Sequence, residues 1–439
     1  MLTKEHPKGL NLCFSVAMWE RAAYHGVRVL LMLFMTKALM FSAHKAGNIF
    51  GYYTSLVFLT PLLGGYVADK FWGQNKSIIF GSFVLLFGHI LLSCVGFMDP
   101  SLIANKFEWL FYLSLLIMTL GGGFFRSNLY TVVGSMYDKK DTRRDSAYTI
   151  FYMGINLGGF LAPLLCGTLG ERIGWGWGFL SSSFLILIGI IHYLTFNKKL
   201  LPSSVFHSTT KHRDGTKIVH LSLTKEEKQK IRVIFIMAFF TMFFWAAAIQ
   251  GGSSLTLFAD RSTIRYLSLL KWQIPTSWFQ LLNPVCVICL APVFASMWIR
   301  LAKKNIEPST VSKFIIGLVL MALGFFVMVF ASIYEKDGPV SMLWLIGSYF
   351  IQTIGELCLS PVGFSVATKL SPARFASLLM GVWFASNFMA GLVSGWFAGL
   401  YDIVDHRTFF MLPVITSLSA AMLLFLLSKP IKRWMHDIH

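Results

Sequence analysis

Residues 77–98 read SIIFGSFVLLFGHILLSCVGFM, a run without a single Asp, Glu, Lys or Arg. A helix that crosses the hydrocarbon core of a bilayer needs about 20 mostly apolar residues, and this run supplies them. On either side of it the pattern repeats. Runs of span length fall at 10–39, 47–68, 77–98, 108–136, 146–169, 175–196, 231–259, 277–301, 311–334, 341–369, 375–400 and 408–427, twelve in all. Across the 439 residues, 55% are hydrophobic, 15% aromatic and 13% charged, and the mean hydropathy is +0.64. A water-soluble chain carries roughly a quarter charged residues, so this one lacks the polar surface to stay in solution. The expected class is an all-α integral membrane protein.

The loops are short except for 197–230, a polar and basic stretch holding Lys198, Lys199, Lys211, Arg213, Lys217, Lys225, Lys228 and Lys230. It divides the chain into a six-helix half at 1–196, a cytoplasmic linker at 197–230 and a second six-helix half at 231–439 with a short cytoplasmic tail. Leu223-Thr224-Lys225-Glu226-Glu227 reads as a helix start, with Thr224 as the cap and acids in the first turn. The expectation is a linker helix lying along the cytoplasmic face.

The formal net charge is +18. With both termini in the cytoplasm, 26 of the 38 Lys and Arg residues fall on that side and 9 on the other, while Arg21, Arg28 and Arg126 lie within spans. Basic residues in short loops mark the cytoplasmic side. The positive balance is therefore a topology signal and a contact with anionic lipid, not a nucleic-acid footprint. Cys13, Cys94, Cys166, Cys286, Cys289 and Cys358 all sit in apolar stretches, without metal-ligand or disulfide spacing, as small buried residues do. No nucleophile–base set, metal motif or phosphate loop points to an enzyme.

Ionisable groups at span depth cost about 2.5–3.5 kcal/mol each on insertion scales. The chain keeps five: Glu20, Arg21, Arg28, Arg126 and Glu356. They must face a polar interior or one another. Arg21, Tyr24, His25 and Arg28 are spaced i, i+3, i+4 and i+7, one stripe of the first helix, and Glu20 borders it. Arg126 follows Gly121-Gly122-Gly123 in span four, and Glu356 follows Gly355 in span ten. Spans four and ten hold equivalent places in the two halves, so a cation of one half is expected to face an anion of the other. Such a chamber suits a zwitterion with separated ends. Asn156, Gln250, Asn283 and Asn387 are further polar groups at depth, each a candidate for the chamber or for a helix cross-link. Trp383 is a candidate wall residue or packing.

Two six-span halves joined by a cytoplasmic linker resemble the plan of the major facilitator superfamily, whose substrate site lies at mid-membrane between the halves. Gly65-Tyr66-Val67-Ala68-Asp69-Lys70-Phe71-Trp72-Gly73 resembles its loop between spans two and three, which implies that Asp69 belongs to a cytoplasmic gate.

A narrower resemblance rests on several motifs. Glu20-Arg21-Ala22-Ala23-Tyr24-His25-Gly26 is similar to the second half of the first-helix motif E-x-x-E-R-F-x-Y-Y-G of the proton-dependent oligopeptide transporter family. Phe151-Tyr152-Met153-Gly154-Ile155-Asn156-Leu157-Gly158 is similar to its fifth-helix F-Y-x-x-I-N-x-G. Gln250-Gly251-Gly252, Trp278-Phe279-Gln280-Leu281-Leu282-Asn283-Pro284, Gly355-Glu356-Leu357-Cys358-Leu359-Ser360-Pro361 and Met380-Gly381-Val382-Trp383-Phe384 add to it.

That resemblance implies import of di- and tripeptides driven by the proton gradient, by alternating access, with no cofactor and with the peptide, protons and the lipid bilayer as partners. It implies that Arg28 and Arg126 hold the peptide carboxylate. Glu356, with Asn156 and Asn283 as hydrogen-bond partners, would hold the amino group. Tyr24 and His25 would line the pocket floor, with Trp383 at its wall. Glu20 and Arg21, with Glu356, would carry proton coupling. A monomer in a bacterial inner membrane is the expected form.

The chain departs from the pattern at Ala17, where the motif has its first glutamate, and at Ala22, His25, Phe58 and Ile249, the last in place of an acid. Two competing expectations follow. One is a transporter of the same fold that has drifted to a modified amino acid, a siderophore-like compound or export. The other is a receptor that keeps the site and no longer transports.

Overall fold

Hydrocarbon offers no partner to a bare N–H or C=O, so an apolar chain must close its own backbone hydrogen bonds by coiling. A computed structural model of the protein describes residues 6–138, 141, 143–206, 224–268, 271–371 and 376–435, and each stretch expected to span carries a long helix. These are α1 (Lys8–Leu33), α2 (Ala43–Val67), α3 (Gln74–Phe97), α4 (Glu108–Ser135), α5 (Arg143–Ala162) and α6 (Trp175–Leu200). They continue as α7 (Lys225–Ala248), α8 (Leu282–Lys303), α9 (Thr310–Tyr334), α10 (Leu343–Lys369), α11 (Ala376–Gly399) and α12 (His406–Leu426). Among the described residues, nine helical segments are long and apolar enough to cross a membrane. The helix with the stripe of charges, α1, is not one of them. Four two-residue strands form two small pairs, Thr263–Ile264 with Val340–Ser341 and Tyr266–Leu267 with Trp272–Gln273.

Single π-turns interrupt the ladder at Phe34–Ala38, Ala68–Trp72, Ile103–Phe107 and Pro163–Gly167. The second of these ends at Gly73, whose φ of +78° turns the chain into α3 at a conformation that a side chain would resist.

The chain divides into two compact units. The first comprises Met1–Met40 and Leu56–Ile218. Its helices approach through small residues, which let backbones meet where no hydrophobic force separates protein from lipid. The three consecutive glycines of α4 each have their own neighbour. A Cβ on Gly121 would lie 2.6 Å from the Leu85 nitrogen of α3, one on Gly123 2.5 Å from the Thr60 carbonyl of α2, and one on Gly122 3.2 Å from the guanidinium carbon of Arg126.

The second unit comprises Phe41–Ser55 and Val219–His439. The opening turns of α2 belong to it and lie backbone to backbone on α11. A Cβ on Gly47 would come within 2.7 Å of the Gly399 nitrogen, and one on Gly51 within 2.6 Å of the Gly395 Cα. Ser55 meets Gly391 on the same face.

Two expectations need correction here. The end of the linker forms no separate helix along a membrane face. Thr224 caps α7 itself: its hydroxyl accepts from the Glu227 N–H at 3.1 Å, and the Glu227 carboxylate accepts from the Thr224 N–H at 2.9 Å. No Gly or Pro follows before Ala248, so a helix nucleated at this capping box continues into the apolar run. The seventh stretch, conversely, is not one helix. It breaks at a tight turn, Ile249–Gly252, and resumes as the short helix Ser254–Arg261. Lys211, Arg213 and Lys217 of the linker lie outside the described residues.

Candidate functional site

In the first unit, α1 turns Glu20 inward, 3% exposed. A buried carboxylate must be paired, and here it takes two cations. Its Oε2 accepts from Arg21 Nε at 2.8 Å. Its Oε1 accepts from Arg126 Nε and Nη2, both at 2.9 Å. The room for the second guanidinium is the missing side chain of Gly122, one turn before it on α4. Both cations also face the ring of Tyr24, Arg126 at 4.5 Å from its centre and Arg21 at 5.2 Å, within the range of cation–π attraction. His25 meets Tyr24 edge-on at 5.1 Å. His25 and Arg28 are half-buried, one turn apart.

One carboxylate thus stands against Arg21 and Arg126, so the cluster carries a net positive charge at its heart. Arg126 Nη1 is buried and has no hydrogen-bond partner among the described residues. An oxyanion arriving there would be met by a donor already stripped of water.

The sequence reading kept Arg126 for a ligand and paired Glu20 with Arg21 alone; the structure ties all three together across α1 and α4. Gly158 brings α5 against the same turn of α1, where a Cβ would lie 2.8 Å from the Arg21 Cβ and from the Ala22 nitrogen. Ala22 is fully buried there and Ala17 nearly so. Asn156 of α5 donates to the Tyr152 carbonyl of its own helix at 2.9 Å, which uses one of its two amide N–H groups. Asp69 is exposed in the turn after α2 and accepts from Gln74 Nε2 at 3.4 Å.

In the second unit, Asn283 of α8 donates to Glu356 of α10 at 2.7 Å and lies 3.2 Å from the Thr353 hydroxyl. That hydroxyl donates to the Tyr349 carbonyl one turn back, at 2.7 Å. The expected partnership of Asn283 with Glu356 is present, and Glu356 is half-buried. Trp383 is 2% exposed, and a Cβ on Gly363 of α10 would lie 2.5 Å from its Cζ2, so the indole is wedged between α11 and α10.

Gln250, open in sequence between the chamber and a helix cross-link, is a cross-link. Fully buried at the break after α7, it donates to the Ser394 carbonyl at 2.8 Å and its hydroxyl at 2.9 Å, and accepts from Ser254 at 2.7 Å. The amide seals the opened helix ladder against α11. Tyr349 helps, donating to the Gly251 carbonyl at 2.8 Å. Ile249, where the motif has an acid, is buried and apolar.

Sequence reasoning missed two features of the first unit. A cavity of about 10 Å³, room for one water molecule, adjoins Glu20 and is lined by Ser82, Leu85, Phe125, Ile186 and Ile190. Two turns along α3 from Ser82 lies His89, 1% exposed. The one signal for it was a titratable residue in an otherwise uncharged span.

A family model described as "POT family" matches residues 75–212 and 199–412. The chain is 35% identical to the uncharacterized transporter YclF of Bacillus subtilis, over 99% of this chain and 96% of that one. It is 32% identical to the peptide transporter YePEPT of Yersinia enterocolitica, over 98% and 96%. Among solved structures, a peptide transporter POT mutant in complex with alafosfalin superposes with a TM-score of 0.87 at 30% identity, covering 98% of this chain and 96% of that one. A POT family transporter in complex with 5-aminolevulinic acid gives a TM-score of 0.87 at 25% identity, covering 97% of each.

Proposed function

This chain belongs to the POT family and has its major facilitator fold, and from that premise we propose that it imports di- and tripeptides, or peptide-like zwitterions, coupled to protons by alternating access. The observation that carries the proposal is the buried ion cluster in which one carboxylate, Glu20, is shared by Arg21 and Arg126 while Arg126 Nη1 has no hydrogen-bond partner among the described residues. Such a cluster lacks one negative charge, and a peptide carboxylate supplies it. Arg126 and Arg28 are assigned to that carboxylate, with Tyr24 and His25 as the floor beneath it. Glu356, oriented by Asn283, is assigned to the amino group, which a carboxylate binds as a charge-assisted hydrogen bond. Trp383, packed against Gly363 of α10, is assigned to the pocket wall, and Asp69 to the cytoplasmic gate.

Glu20 and Arg21 carry proton coupling, together with Glu356. A proton on Glu20 weakens its hold on both guanidiniums and frees Arg126 for the substrate. No cofactor enters this scheme; the proton gradient drives it. The chain acts as a monomer in a bacterial inner membrane with both termini cytoplasmic, the orientation that the excess of basic residues on one side of the spans supports. A ligand with an amine at one end and an acid at the other, as in the relative solved with 5-aminolevulinic acid, has the required chemistry.

The test is a labelled dipeptide in proteoliposomes. Accumulation is expected under an inward proton gradient, and Arg126→Ala and Glu356→Gln are expected to abolish it. Exchange indifferent to the gradient overturns the coupling.

A second reading is favoured by Ala17 and Ile249, both buried where the motif has acids. On that reading the fold is kept and the substrate is a modified amino acid or a siderophore-like compound. Stabilisation by such compounds and by no di- or tripeptide in a thermal-shift panel would establish it.

A further inference from the structure

One end of the second unit, the end that basic residues mark as cytoplasmic, carries charge that the transport scheme does not use. The chain continues past α12 into a short helix, Ser428–Trp434. Ile431 and Met435, four residues apart, are buried against the unit, while Lys429, Lys432 and Arg433 are left exposed. On α7, Lys225, Lys228 and Arg232 are exposed as well. Residues of both helices, Lys225, Glu226 and Gln229 with Arg433, line a groove of about 350 Å³. That volume is within the range of small-molecule sites.

The acids at this end are already engaged. Glu226 accepts from Lys230 Nζ at 2.6 Å, and Glu227 closes the capping box with Thr224. Lys225 and Arg433 have no ion-pair partner among the described residues. The groove therefore offers an ammonium, a guanidinium and an amide, with its one acid balanced by Lys230. Donors of this kind suit the oxygens of a phosphate group.

The approach to the groove indicates what carries the phosphate. The last turn of α12 is bare and apolar, with Phe425 at 61% and Leu426 at 66% exposure, and Leu427 joins it to the short helix at 40%. Apolar side chains left bare at the end of a span face hydrocarbon. A basic groove within two turns of such a surface fits a molecule with an anionic head and acyl tails. A free anion would make no use of the apolar surface.

We propose that this groove binds the phosphate headgroup of an anionic phospholipid between Lys225 and Arg433, with Gln229 donating to it and the acyl chains lying along the end of α12. The lipid ties the first turn of α7 to the last helix of the chain. No covalent bond changes. The inference goes beyond the transport reading and does not depend on which solute is carried. Each cation near a headgroup contributes about fivefold to binding, so removing both weakens it about 25-fold.

The test is thermal unfolding of the full chain in detergent with added phosphatidylglycerol, phosphatidylcholine of the same acyl chains, or inorganic phosphate. The parent is compared with Lys225→Gln/Arg433→Gln and with a charge-matched control, Lys198→Gln/Lys199→Gln, two exposed lysines at the end of α6. Each shift is read against that protein's own melting temperature without additive. Phosphatidylglycerol is expected to stabilise the parent and the control alike, as a ligand of the folded state does. In the groove variant the lipid concentration for half the shift should rise about 25-fold, and phosphatidylcholine should stabilise none of them. An equal response in the groove variant overturns the proposal. So does an equal loss in the control, which marks bulk attraction between charges. The same stabilisation by inorganic phosphate alone assigns the groove to a free anion and overturns the lipid. Should the double variant fail to fold, Arg433→Gln alone is read by the same criteria at about fivefold. A parent without dipeptide uptake fails the transport reading and leaves this inference standing.

Discussion

Arg126 closes on one oxygen of Glu20 with two of its nitrogens, Nε and Nη2, each at 2.9 Å, joining α4 to α1 inside the first unit. The other oxygen belongs to Arg21. A helix contact of this kind is also a charge store. Removing its single anion leaves two guanidiniums facing one another in a buried site.

Glu20→Gln is therefore expected to destabilise the protein by about 3–5 kcal/mol, the cost of orphaning a buried ion pair, and to abolish uptake. Glu20→Gln with Arg126→Met removes the pair together and should recover most of that stability, with uptake still absent. Thermal unfolding of the two variants checks this; equal losses in both would refute the pairing.

The adjacent glycines of α4 should separate by mechanism. Gly121→Ala drives a methyl into the α3 backbone and is expected to cost about 1–3 kcal/mol through overpacking. Gly122→Ala meets the Arg126 guanidinium, a flexible group that can give way, so stability changes less while peptide affinity falls. The measurements are a melting curve and an uptake KM for each.

Gln250→Ala leaves the Ser394 carbonyl and hydroxyl without their buried partner, at about 1–3 kcal/mol. Because Gln250 is assigned to a cross-link and not to the ligand, the melting temperature should drop while the peptide KM is kept. A raised KM at unchanged stability would return Gln250 to the binding site.

Asn283→Ala removes the hydrogen bond that orients Glu356. The expected outcome is an apparent KM for dipeptide raised about tenfold, or 1.4 kcal/mol of binding, with the maximal rate largely kept. A dipeptide blocked at its amino end should be indifferent to the change, since the group served by Glu356 is gone.

Asp405 caps α12, accepting from the Thr408 N–H at 2.9 Å and its hydroxyl at 2.7 Å. The Thr408 N–H, with its hydroxyl second, holds the carboxyl below the ordinary aspartate range. A folded-state value below the unfolded one contributes stability that is present above the unfolded pKa and lost as pH falls through the folded one. Asp405→Asn keeps an oxygen acceptor without the titration. The gap in melting temperature between parent and variant should narrow as pH drops from about 5 to 3.

The spans were readable because hydropathy is a property of consecutive residues, and each of the twelve runs carries its long helix. The capping box at Thr224 was equally local, and so was its consequence, except that the helix it starts runs on into α7 instead of resting beside the bundle. Asn283 and Glu356 were linked through motif and found bonded. What the sequence could not announce was partnership across helices. Arg126 reaches Glu20 beside the space that Gly122 leaves, and Gln250 is a seal because Ser394 of α11 arrives there. His89 looked like one more span residue until its neighbours were known. A chain read in one dimension gives each polar residue a depth but not an opposite number.

The seam of Gly47, Gly51 and Ser55 against Gly399, Gly395 and Gly391 has a mechanical consequence. Where long side chains interdigitate, a contact can yield by degrees as rotamers change. Here main chain rests largely on main chain, with the Ser55 hydroxyl and the His44 ring among the side-chain contacts, so there is little to reshuffle. The joint is either seated or parted, and a single added methyl group would act as a doorstop.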